Sequence, residues 1–210
     1  MAHATDSAAG VDTPAELGSR SDVGARLRRL RKQQGMSARA LATALGISPS
    51  AVSQIERGVL NPSVSRLIAI TDALGVPLAA VFDGRDDVVA EVAATASGFA
   101  LQRAEHSSSV VLDSGVTFRR LSPGRTPGVD YFESTYPPGS TAHADDDLFR
   151  HDGYEVGTVI SGELTIDFDE ERVVLRPGDA ISYPCSRPHR IHNTGTDDAV
   201  AQWLIVHADR

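Results

Sequence analysis

Two groups of side chains in this 210-residue sequence have types and spacing that can do chemistry. In Ser48-Pro49-Ser50-Ala51-Val52-Ser53-Gln54-Ile55-Glu56-Arg57-Gly58, Val52 and Ile55 fall on one side at helical spacing. Pro49, Ser50, Ser53, Gln54 and Arg57 fall on the other. That outward face is short, uncharged at its N-terminal end and able to hydrogen-bond. In the major groove of DNA, serine can bond several base edges and glutamine can form a bidentate pair with adenine. The second group is His151-Asp152-Gly153-Tyr154-Glu155, followed by Gly162, together with Gly178-Asp179 through Pro184 to His189 and Asn193. On their own terms these residues can line a polar site: His151 on its wall, Glu155 bonding an amine or hydroxyl of an organic ligand, His189 capping a strand.

The elements that must position these groups differ in charge and in period. Residues 21–82 carry eight basic side chains against three acidic ones, a surplus of five positive charges, whereas residues 83–210 set 11 arginines against 22 acidic residues. The overall charge of −8 therefore hides a basic module joined to an acidic one. Of the 20 basic residues 19 are arginine, which reads as compositional bias and not as a binding signal. Residues 1–20 lack periodicity and large apolar groups and are expected to be a disordered tail. From 21 to 83, Gly35, Gly46, Gly58 and Gly75 each close an apolar-periodic segment, and Ser37, Ser48 and Asn61 stand where N-caps belong. Ser48-Pro49 and Asn61-Pro62 place proline at the first helical position. Five short helices are predicted, near 22–34, 37–45, 49–57, 62–74 and 77–82. On the first, Val23, Leu27 and Leu30 point inward, leaving Arg28, Arg29 and Lys32 outward as candidate phosphate contacts.

Residues 84–98 suit a linker, and 99–210 change to short β-branched and aromatic segments separated by turn clusters. Many short strands without helices read as a closed or sandwiched β structure. The fold class is thus two-domain, α followed by all-β. The longest apolar runs, such as Leu67-Ile68-Ala69-Ile70, are too short to span a membrane, and neither a membrane span nor a secretory signal is expected. One cysteine, Cys185, allows neither an internal disulfide nor a cysteine-based zinc site, and a cytoplasmic location is expected.

The segments Ser37-Ala38-Arg39-Ala40-Leu41-Ala42, Leu45-Gly46-Ile47-Ser48, Val52-Ser53-Gln54-Ile55-Glu56-Arg57-Gly58, Asn61-Pro62-Ser63 and Ala73-Leu74-Gly75-Val76 resemble the Xre-type, lambda-repressor-like helix-turn-helix family over residues 22–82. The resemblance implies that the second helix of the motif enters the major groove. Pro49, Ser50, Ser53 and Gln54 would then contact bases, and Ser37 and Arg57 would touch phosphate.

The His151–Glu155 and Gly178–Asn193 segments resemble the two motifs of the cupin superfamily, a double-stranded β-helix barrel of jelly-roll type. Carried over by position, His151, Glu155 and His189 match metal-ligand places. Phe149 stands where the first motif histidine belongs, so at most three of four usual ligands remain, unless His143 is brought inward by its loop. Two imidazoles and a carboxylate suit Fe(II), Mn(II) or Zn(II) with open positions. Tyr131, Tyr136, Tyr183 and Trp203 are candidates for the barrel mouth, with Tyr131 foremost as a ligand contact, while Cys185 reads as a small buried thiol and His192 as exposed on the opposite face from His189.

The two-part arrangement resembles bacterial one-component regulators whose barrel dimerises and senses a small metabolite. It implies a homodimer, an inverted-repeat operator in double-stranded DNA and a small-molecule effector. The competing class is a non-haem metal-dependent enzyme of the hydroxypropylphosphonate epoxidase type, with Arg187 and Arg190 as the suggestive anion-binding pair. A third is a scaffold whose barrel only dimerises.

Overall fold

The computed structural model describes residues 20–82, 98–104, 107, 109–143 and 147–207, with side chains described from Val23 onward. The tail expected at 1–20 and the linker expected at 84–98 fall almost wholly outside the described residues. Among the described residues four α-helices come first: α1 (Arg20–Gln33), α2 (Ala38–Leu45), α3 (Pro49–Glu56) and α4 (Val64–Leu74). Ser37, Ser48 and Ser63 cap α2, α3 and α4, each hydroxyl accepting from the backbone N–H three residues on. The Asn61-Pro62 pair, expected to start the fourth helix, stays outside it. Ser63 supplies the cap, and the Pro62 carbonyl accepts the Asp113 N–H from the β half at 3.0 Å.

The fifth expected helix is a single 3-10 turn, Leu78–Val81. Its four residues make i→i+3 bonds, Ala80 N–H to Pro77 and Phe82 N–H to Ala79, and leave no length for a run of α-helical ones. Gly46, at φ 65°, ends α2 in the left-handed region and lets the chain turn within three residues into α3. A buried ion pair fixes the helices: Arg31 on α1 bonds both carboxylate oxygens of Glu56 on α3, and its Nη1 also donates to the Met36 carbonyl at 2.7 Å.

Nine strands follow among the described residues: β1 (Ser109–Val111), β2 (Thr117–Arg120), β3 (Val129–Tyr136), β4 (Tyr154–Ser161), β5 (Leu164–Phe168), β6 (Arg172–Leu175), β7 (Ala180–Pro184), β8 (His189–His192) and β9 (Ala199–Val206). Antiparallel pairing orders them β1-β2-β3-β9-β4-β7 in one sheet and β6-β5-β8 in another. Bridges at Thr141 and Phe149 add to the β8 edge of the smaller sheet. Burial alternates strictly along β3 and β9, as expected where one face of a sheet meets a core. Trp203 crosses Gly157 on the facing strand so closely that a Cβ there would lie 2.2 Å from the indole ring.

The helices and the barrel share one continuous apolar core. Phe82, just past the 3-10 turn, packs on Phe132 with centroids 5.1 Å apart and ring planes tilted by 36°. The buried Asp130 carboxylate accepts the Ala79 N–H at 3.2 Å and stands 3.0 Å from Nε2 of His207. In the first turn of α4, whose N–H groups have no partner within the helix, the Ser65 N–H donates to the Ala142 carbonyl of the barrel at 3.0 Å.

Candidate functional site

Alternation along β4 and β8 turns Glu155 and His189 into the barrel, and His151 enters from the segment before β4, its N–H anchored on the Cys185 carbonyl at 3.1 Å. One donor atom from each of His151, Glu155 and His189 lies within 4.8 Å of the others, and all three residues are buried. The Tyr183 hydroxyl donates to Glu155 Oε2 at 2.7 Å, and His189 Nε2 stands 3.7 Å from the same oxygen. Burial pushes the Glu155 carboxyl up to about 7, against the opposing pull of the Tyr183 hydrogen bond. Burial, aided by the neighbouring His189, lowers His151 to about 4, and burial lowers His189 as well.

The tautomers follow from the partners. Nδ1 of His151 lies 3.0 Å from the Asp152 carbonyl and Nδ1 of His189 lies 2.8 Å from that of Arg187. A carbonyl only accepts, so each Nδ1 carries the hydrogen, and each neutral ring keeps its Nε2 lone pair. Two neutral imidazoles with second nitrogens held by backbone carbonyls, beside one carboxylate, fit a divalent metal ion. Bound there, such an ion would supply Lewis acidity and open coordination positions.

The cavity around this cluster is about 20 Å³, walled by Phe132, Tyr136, Phe149, Ile191 and Trp203. Space of this size suits an ion or about one water molecule. Phe149 fills the place of the missing histidine and stacks against His151 at 5.6 Å. His143 does turn inward, yet its ring lies beyond Phe149 and outside the three-residue cluster. Val64, Ser65 and Ile68 of α4 complete the wall, a contribution from the helical half that no motif announces.

On the other side of the helical half, α3 presents Pro49 and Ser50 exposed and Ser53 and Gln54 half-buried, while Val52 and Ile55 are buried beneath. Arg28 and Lys32 on α1 are exposed, Arg28 within 4.0 Å of Glu56. Ser37 spends its hydroxyl on the Ala40 N–H as a cap, and Arg57 donates from Nε to the Ser53 carbonyl.

Residues 27–81 match the helix-turn-helix family model, and residues 132–207 match the cupin domain model. The chain thus joins a helix-turn-helix domain to a cupin domain. It is similar to the HTH-type transcriptional regulator PuuR of Escherichia coli (strain K12), 27% identical over 172 residues that cover 81% of this chain and 87% of the relative. It is also similar to the HTH-type transcriptional regulator SutR of the same organism, 25% identical over 88% of this chain and 93% of that one. A crystal structure of a helix-turn-helix family transcriptional regulator from Vibrio cholerae has the same fold, with a TM-score of 0.64 at 23% identity, covering 90% of this chain and 97% of the other.

Within the cupin domain, several residues stand elsewhere than expected. Tyr131 points to the outer face of β3, where its hydroxyl bonds Gln202 at 3.1 Å, because the strand's two-residue period gives the inward positions to Asp130 and Phe132. It does not line the cavity. Tyr136 and Trp203 do, and Tyr183 acts through Glu155. Arg187 lies over the Phe168 ring and pairs with Glu171, and Arg190 pairs with Asp167, so neither serves the cavity as an anion clamp. His192 is on the opposite face from His189, as expected, but is half-buried, with Nε2 3.0 Å from Asp167. Cys185 is a buried thiol whose pKa burial raises.

Proposed function

We propose that this chain is a sequence-specific DNA-binding transcription regulator. The observation that carries this reading is α3: a serine-capped helix, entered through the Gly46 turn, that presents Pro49, Ser50, Ser53 and Gln54 above a buried apolar seat. Arg28 and Lys32 would then hold phosphate, and Ser37 and Arg57 would approach the backbone from helix ends. The likeness to named regulators along most of the chain supports the same reading.

The regulator acts as a homodimer on an inverted repeat. Support comes from the outer face of β4 and β9, where Tyr154, Val156, Ile160 and Val206 are exposed and Tyr154 pairs with Val206 across the strands. A contiguous apolar face of this kind is expected to be covered. His151, Glu155 and His189 bind a divalent metal ion, and the domain responds to a small-molecule effector. No described helix is long and apolar enough to cross a membrane.

The same three residues favour a second reading, a metal-dependent enzyme of the hydroxypropylphosphonate epoxidase type. Against it, the cavity beside them is about 20 Å³, room for an ion and not for an organic substrate. Selection of a random-sequence DNA pool by the full-length protein tests the proposal. An enriched inverted repeat with half-sites one helical turn apart supports a dimeric regulator. Failure to enrich any sequence at moderate and low salt, with and without added metal, rejects it and moves the enzyme ahead.

A further inference from the structure

Beyond Phe149 the small inner cavity gives way to a second, larger chamber of about 150 Å³ at the seam of the two domains. The capping Ser63, with Ser65 and Arg66 of the first turn of α4, forms one side, and His143, Asp147 and Phe149 of the barrel form the other. His143 belongs to both spaces. It is 7% exposed, and neither ring nitrogen has a hydrogen-bond partner among the described residues. Leaving such a group unsatisfied carries a desolvation cost that a polar ligand would recover.

Arg66 faces in two directions. It lines the chamber, and its Nη1 donates at 3.1 Å to the carbonyl of Leu45, the last residue of α2 and the one before the Gly46 turn. A guanidinium has five donors in a planar fork and binds a carboxylate or phosphate more strongly than a neutral carbonyl. The hydroxyls of Ser63 and Ser65, 3.1 Å apart, and the N-terminal end of α4 favour negative charge at the same place. Asp147, the acidic residue among the described lining, is exposed, so solvent screens it.

We infer that this seam chamber is the effector site, that it takes a small carboxylate- or phosphate-bearing molecule on Arg66, Ser65 and His143, and that its occupancy draws Arg66 away from Leu45 and loosens the turn leading into α3. The inference rests on the regulator reading for its purpose, but the binding site stands on its own geometry. It places the determinants of effector specificity partly in the DNA-reading domain.

The test uses full-length, chelator-treated protein titrated calorimetrically with succinate, inorganic phosphate and, as a cationic control, ethylammonium, alongside Arg66→Lys and Ser65→Ala. Binding of at least one of the two anions at millimolar concentration, weakened about tenfold or more in Arg66→Lys, is the expected result, since losing a bidentate guanidinium contact is worth at least about 1.4 kcal/mol. Ser65→Ala, which keeps the N-cap intact, weakens the same anion by a smaller factor. Binding of neither anion to the wild type, equal binding to both variants, or binding of ethylammonium in their place overturns the site. Operator affinity, measured on selected DNA, falls about fivefold or more when the anion is bound to the wild type and not in Arg66→Lys. Anion binding without any change in operator affinity overturns the link to Leu45. Specific DNA binding with no anion bound removes only this site, whereas anion binding with no specific DNA bound removes the regulator reading and leaves the site in place.

Discussion

Glu155 is the place where the candidate metal centre and the stability of the fold meet, and Glu155→Gln separates them. The carboxyl is fully buried beside Tyr183, and its pKa is raised from 4.5 to about 7. Below pH 4.5 it is protonated both folded and unfolded and costs nothing. As the pH rises from 4.5 to about 7, the unfolded chain gains charge that the folded chain resists, so stability is progressively lost, and above about pH 7 the loss is constant. At about 1.4 kcal/mol per pH unit the full cost is about 3 kcal/mol. Glutamine is nearly isosteric: with its carbonyl oxygen in the place of Oε2 it can accept the Tyr183 hydroxyl, and it carries no charge for burial to oppose. Chelator-treated Glu155→Gln is therefore expected to match the wild type at pH 5 within about 1 kcal/mol and to exceed it at pH 8 by about 3 kcal/mol. For a chain of this size that is a rise in Tm of about 6–12 °C. Urea and thermal unfolding at the two pH values provide the measurement. The histidines titrate in both proteins and cancel in the difference. A difference that does not grow with pH, or a less stable variant at pH 8, would refute the account of Glu155 as a buried group kept from ionising.

Four further outcomes are expected. His151→Ala removes one of two imidazole donors, so a Co(II) or Zn(II) titration should show affinity falling by about tenfold or more; unchanged affinity would place the metal elsewhere. Glu56→Ala strands the buried Arg31 guanidinium and should cost about 3–5 kcal/mol in urea unfolding. The double variant Arg31→Met/Glu56→Leu should recover most of that, and no recovery would argue against an ion-pair origin. Gly157→Ala drives a methyl into the Trp203 ring and should cost about 1–3 kcal/mol or more, with a changed Trp203 emission spectrum; an unperturbed spectrum would contradict the close crossing. Gln54→Ala should weaken binding to selected DNA by about 1–3 kcal/mol while leaving random DNA nearly unaffected, and equal losses on both would move Gln54 out of the reading face.

The helical half was legible because its signals are local. Ser37 and Ser48 cap the helices they precede, Gly46 adopts the left-handed turn, and Val52 and Ile55 are buried at helical spacing. The start of α4 was misplaced because Asn61-Pro62 and Ser63 are both acceptable starts locally. A long-range bond, Asp113 N–H to the Pro62 carbonyl, goes with the later one. In the barrel, motif spacing marked His151, Glu155 and His189, which do converge. Tyr131 failed because its face is set by strand register, and a shift of one residue reverses it. The share of α4 in the cavity wall had no signal at all, since nothing in Val64, Ser65 or Ile68 says what lies opposite a helix across a hundred residues of sequence.

The shared core also bears on how such proteins can be recombined. With Phe82 packed on Phe132, Asp130 holding the Ala79 N–H and Ala142 accepting the Ser65 N–H of α4, the reading head is seated on its barrel by contacts whose two sides lie on either side of the expected linker. A chimera cut between residues 83 and 98 and joined to a foreign barrel would carry an unpaired aromatic face and a Ser65 N–H without its acceptor into the graft. Exchanging specificities within this architecture therefore calls for transplanting seam residues as a matched set, because the modular boundary visible in the sequence is not a boundary in the packing.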